Sequence, residues 1–153
     1  MRGQKINGQF VPLPRQLVIS TAWRAASLNA RHMLDHLIEE HLRHGGKSNG
    51  ILLAPRRQLE QLIHRNAVTN TINELQRLGL IDLKPGLGRT PSTYTLTWLP
   101  HADGSPPTDR WHQSEAENYA NSLIAARKQA KTRPKRHARS MLATIRTKLL
   151  KRL

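Results

Sequence analysis

The sequence contains no cysteine, which excludes a disulfide framework, a cysteine-ligated zinc or iron–sulfur site and a thiol nucleophile. Aromatic residues make up only 4 %, with a single Phe, so the core of this 153-residue chain must be aliphatic. Acidic residues are scarce as well, 10 against 25 Lys plus Arg, for a formal net charge of +15. No apolar run approaches the roughly 18 residues that span a bilayer. Residues 1–14 carry no apolar signal core, so a cytoplasmic protein is expected. A surplus of positive charge this large favours a polyanion as partner, nucleic acid before an anionic membrane surface.

The charge is unevenly distributed. Residues 1–100 hold 13 basic and 6 acidic side chains, residues 101–153 hold 12 and 4, and Arg127 to Leu153 holds 11 basic residues without an acid. Between the halves, the Gly/Ser/Pro-rich stretch from Pro100 to Asp109 has linker composition. This divides the chain into a domain over 1–100, a linker over 101–112 and a basic helical extension over 113–153.

Within the first hundred residues, 1–19 read as extended because Pro12 and Pro14 oppose a helix, and a helical turn follows at Thr21 to Ala26. Ser27 is a candidate N-cap for a helix from Leu28 to about His44, whose Ala30, Met33, Leu34, Leu37, Ile38 and Leu42 recur at helical spacing and which Gly45-Gly46 ends. A short strand is expected at Ile51 to Leu53, a helix from Pro55 to Ile63, a tight turn at His64-Arg65, and a helix from about Asn66 to Leu78 stopped by Gly79. Two strands then flank a loop: Leu80 to Lys84, Pro85 to Pro91, and the alternating Ser92 to Trp98.

The predicted fold class is therefore α+β, mainly helical, with a helix–turn–helix followed by a two-stranded hairpin. Asn73-Glu-Leu-Gln-Arg-Leu-Gly-Leu-Ile81 and Gly86-Leu-Gly-Arg-Thr-Pro-Ser-Thr-Tyr-Thr-Leu96 resemble winged helix-turn-helix DNA-binding domains of bacterial regulators and of plasmid or phage replication initiators. With the segment from Trp23 to His44, the resemblance covers most of residues 15–100. It implies duplex DNA as partner, residues 66–78 as the recognition helix and residues 85–91 as the wing.

The helical wheel supports the same placement without the family. Val68, Ile72 and Leu75 fall on one side, while Asn66, Asn70, Asn73 and Arg77 fall opposite with Thr69 beside them. Asn is a mediocre helix former, although Asn66 also suits an N-cap. An Asn amide can pair bidentately with adenine and Thr can meet a thymine methyl; an ordinary solvated face is the plain alternative. Arg65 and Arg77 suit phosphates. Arg89 and Thr90, at the hairpin tip, suit the DNA backbone or a minor groove; a mere connecting turn is the alternative there. The glycines of this loop join strand to strand, whereas nucleotide-binding glycine loops lead into a helix, so no nucleotide is expected.

His32 and His36 are spaced four apart with Glu39 nearby, but no strong third ligand accompanies them. No metal, no other cofactor and no catalytic set is expected. His41 falls on the apolar face near the end of its helix and reads as a satisfied core histidine.

In the extension, Ser114-Glu-Ala-Glu117 has capping-box form and starts a helix reaching Gln129. The cluster Lys131, Arg133, Lys135, Arg136 and Arg139 follows, and then a basic amphipathic stretch through Met141, Leu142, Ile145, Leu149 and Leu153. Wrapping along phosphates, packing on the core or another subunit, and lying on an anionic membrane are its three readings. The expected function is sequence-specific duplex DNA binding in transcriptional regulation, at the nucleoid. A replication-initiation or mobile-element accessory role and a non-specific architectural role are the alternatives. A homodimer would suit two DNA half-sites, and no membrane partner is expected.

Overall fold

Residues 8–132 are described in the structure, a computed structural model. They form a mainly helical α+β arrangement: α1 (Arg15–Ile19), α2 (Thr21–Ala25), α3 (Leu28–Arg43), β1 (Leu52–Leu53), α4 (Arg56–Leu62), α5 (Val68–Arg77), β2 (Ile81–Lys84), β3 (Thr93–Leu96), a 3₁₀ turn (Arg110–His112) and α6 (Ser114–Thr132). Residues through Asn121 make one compact unit, and a second begins at Ser122.

The helices start and stop for local reasons. The N-terminal segment is not wholly extended: after Pro12 and Pro14 the chain forms α1, with Pro14 at the N-cap, where its missing N–H costs nothing, and Leu17 fully buried. Ser27 caps α3 by accepting the Ala30 N–H at 3.2 Å. At the other end Gly45 and Gly46 both have positive φ, and their N–H groups donate to Leu42 and His41 carbonyls, each at 2.9 Å. This paired closure satisfies the last carbonyls of α3. The same closure ends α5, where Gly79 (φ 67°) and Leu80 donate to Gln76 and Leu75.

The sheet holds one strand more than a simple hairpin. Its order is β1-β3-β2, antiparallel throughout, with Leu52 opposite Tyr94 and Ile81 opposite Leu96. As the central strand, β3 has both faces covered: Tyr94 and Leu96 are buried, and so are Thr95 and, just past the strand, Thr97. Burial holds the Tyr94 phenol above its ordinary pKa. The Thr97 hydroxyl donates to the Gly79 carbonyl at 2.7 Å, so its polar atom is satisfied inside the protein.

Segment 101–112, expected as a linker, is held against the domain. The Ala102 N–H donates to the Asn49 carbonyl at 2.7 Å and the Asp109 N–H to the Thr97 carbonyl at 2.9 Å. Trp111 is buried, and Arg110 forms an ion pair with Asp82 of β2. Asn49 anchors the start of this strap. Fully buried, it donates to the Leu96 and Leu99 carbonyls and accepts the Leu96 N–H at 2.7 Å. Asn49→Ala strands those buried partners, and chemical denaturation should show a loss of about 1–3 kcal/mol; a loss near zero would deny Asn49 that structural role.

The core lies between α3, α5 and the sheet, with Met33, Leu34, Leu37, Leu52, Leu59, Leu75 and Leu80 sealed from solvent. His41 sits in it as the helix spacing implied, although its Nδ1 has no hydrogen-bond partner among the described residues. Burial lowers its pKa below 6.5. The unfolded chain therefore takes the proton first, and stability should fall as pH drops below about 6.5. A His41→Leu variant should lose that part of the acid sensitivity; an unchanged pH profile would show that other groups carry it.

Candidate nucleic-acid interface

The helix expected over Asn66 to Leu78 begins two residues later, at Val68, with Ala67 in the N-cap position and no side-chain cap. Asn66 is not the cap. The Ala67 N–H closes a turn onto the His64 carbonyl at 2.7 Å, and the Asn66 N–H meets His64 Nδ1 at 3.3 Å. The backbone of residues 64–67 is thus committed to the turn, and helical geometry starts only beyond it.

From Val68 onward the two faces of α5 separate. Val68, Thr71 and Leu75 are buried and Ile72 is half-buried. Thr71 tolerates burial because its hydroxyl donates to the Ala67 carbonyl at 2.8 Å. On the outer face Arg65, Asn66, Thr69, Asn70, Asn73 and Arg77 are exposed. Among the described residues, no hydrogen bond or ion pair engages the side chains of Arg65, Asn66, Asn70, Asn73 or Arg89.

Two members of the predicted set are engaged within the protein. The Arg77 guanidinium lies over the Tyr119 ring of α6, 3.7 Å from its centroid, so it braces α6 as well as facing solvent. Thr69 accepts a long hydrogen bond, 3.4 Å, from Arg56. Beyond α5's outer face, Asn73, Gln76 and Arg77 line a polar groove of about 550 Å³ whose other wall includes Arg110, Gln113 and Tyr119.

Arg56, which spacing did not single out, organises the turn. From the first residue of α4 it pairs with Glu60 at 2.9 Å, donates to the Arg65 carbonyl at 3.1 Å and reaches Thr69. One guanidinium thereby ties α4, the turn and the first turn of α5 together. Its only sequence signal is the pair Arg56-Arg57 after Pro55; the contacts exist only once the turn closes.

The acids of these elements are all engaged. Glu60 is held by Arg56, Glu74 accepts from the Ser27 N–H and hydroxyl at 2.7 and 2.8 Å, and Asp82 pairs with Arg110. No family model, curated protein or solved structure matches this chain.

The loop between β2 and β3 is built as a narrow tip. Thr90 N–H donates to the Leu87 carbonyl at 3.0 Å, Gly88 takes φ 60°, and Arg89 and Thr90 are exposed. Gly86 N–H donates to Ser92 Oγ at 3.1 Å, and a Cβ on Gly86 would collide with the Thr90 carbonyl oxygen. Glycine is required there by close backbone approach, with no phosphate needed to explain it. Lys131 is exposed near the end of α6, in the second unit. Arg133, Lys135, Arg136 and Arg139, with the amphipathic stretch beyond them, lie outside the described residues. Among the described residues no cluster of His, Asp and Glu suits a metal, and no helix is long and apolar enough to cross a membrane.

Proposed function

We propose that this chain is a winged helix-turn-helix protein that reads duplex DNA, with α5 in the major groove and the 85–91 loop against the neighbouring backbone or minor groove. The observation that carries the reading is the outer face of α5. Its amides at Asn70 and Asn73 are exposed and unengaged among the described residues, while the acids of α4, α5 and β2 are held by other side chains. A solvated stability face would gain from strong helix formers and i, i+4 ion pairs. This face has amides that match base edges instead. The order α3, β1, α4, α5, β2, β3 and the sheet order β1-β3-β2 support the family resemblance, and the +15 charge supplies the electrostatic attraction. Transcriptional control at the nucleoid is the proposed use; replication or mobile-element service would employ the same reading surface.

Selection from random duplex DNA at near-physiological salt tests this. The full chain and a chain ending at Asn121 should recover the same motif, with half-site spacing reporting any dimer. A cut after Pro100 would be the wrong comparison, because it strips the strap that Asn49, Thr97 and Asp82 hold. If residues beyond 121 track phosphates, each lost contact lowers the salt slope by about 0.9. Binding by the full chain with no recoverable motif would overturn sequence reading.

A further inference from the structure

The tip of the β2–β3 loop carries a side chain that neither the fold nor charge attraction explains. Leu87 is 85 % exposed, more than any other large hydrophobic residue among those described. It stands at the first position of the tight turn closed by Thr90, between Gly86 and Gly88. The turn imposes no demand for an aliphatic residue there: Gly88 supplies the positive φ, and Gly86 the close approach to Thr90. The loop is nevertheless a prepared support. Pro85 and Pro91 bracket it, the Gly86–Ser92 hydrogen bond ties its two arms, and the Leu87–Thr90 hydrogen bond closes its apex. An apolar side chain is thus held out on a narrow, pre-organised hairpin whose next residues but one and two, Arg89 and Thr90, are exposed as well.

We infer that Leu87 is a wedge that enters the DNA minor groove and partly unstacks one base step next to the sequence read by α5. The inference rests on the proposal that duplex DNA is the partner. Arg89 is drawn to the negative potential of a narrow minor groove, and a short aliphatic side chain on a rigid support fits the gap opened between adjacent base pairs. Pyrimidine–purine steps such as TA and CA unstack most readily, so one should occur at a fixed offset from the motif. Such a step would be selected without any hydrogen bond to its bases.

The test uses the full chain and a short duplex, either the selected one or, if none is recovered, one of mixed sequence containing TA and CA steps, with 2-aminopurine substituted at each adenine in turn. Unstacking raises 2-aminopurine fluorescence, so wild-type protein should produce a several-fold rise at one step. Leu87→Ala should abolish that rise and weaken binding about tenfold, while Leu87→Met keeps both. Neither substitution should shift the thermal melt, because the side chain contacts solvent. An equal rise with Leu87→Ala, or wild-type binding without any rise, overturns the wedge and leaves DNA binding standing. Failure of the wild-type protein to bind any duplex overturns both the wedge and the DNA-binding reading.

Discussion

Gly79→Ala lowers the unfolding free energy by about 2–4 kcal/mol, whereas Gly45→Ala costs only about 1 kcal/mol. The two glycines have the same local duty. Each follows a helix, at φ 67–69°, and each N–H helps close the helix end. They differ in what lies beyond the Cα. A Cβ at Gly45 meets nothing within 4 Å, while one at Gly79 comes to 2.6 Å from the Arg110 carbonyl carbon and 2.7 Å from the Trp111 nitrogen. Those are backbone atoms of the 3₁₀ turn, fixed by the Arg110–Asp82 pair and the buried Trp111 ring, and they have no rotamer to yield. The added methyl must displace the strap or strain the end of α5. Equilibrium denaturation of both variants separates the conformational cost they share from the close approach unique to Gly79. Equal losses would mean that the strap is not pressed on Gly79 in solution.

The strap also shows where sequence reasoning reached its limit. Pro106, Pro107, Gly104 and Ser105 have the composition of a linker, but composition reports conformational preference and says nothing of burial. The contrary signal was Trp111, one of three tryptophans in a chain poor in aromatics, which is buried. Helix faces were far more legible. The apolar spacings in α3 and α5, the Ser27 cap, and the stops at Gly45-Gly46 and Gly79 are local patterns, and each appears close to its expected place. The third strand was not legible as a partner, because two residues, Leu52 and Leu53, carry no periodicity and pair with β3 only across a long sequence separation. On the candidate interface, the exposure of Asn70 and Asn73 follows from the wheel. The bracing by Arg56 and the diversion of Arg77 onto Tyr119 do not, since both depend on neighbours brought close only by folding.

Replacing both Asn70 and Asn73 with Ala should weaken binding to the selected duplex by roughly 2–5 kcal/mol while hardly changing affinity for random DNA. The asymmetry follows from the division of labour at such an interface: phosphate contacts supply sequence-independent affinity, and amides on base edges supply discrimination. The double variant loses only the second contribution. Its fold should be unaffected or slightly more stable, because both positions are exposed and Ala is the better helix former. A loss of binding therefore cannot be charged to unfolding. Arg65→Ala is the complementary case. Arg65 is exposed in the turn before α5, a position suited to a phosphate rather than a base edge, so its loss should weaken both duplexes alike and reduce the salt slope by about 0.9. Measured side by side across a salt series, the two variants assign the roles independently. If the amide variant loses affinity equally on both duplexes, Asn70 and Asn73 position the protein without reading sequence. If it loses none on either, α5 is not the surface that meets DNA.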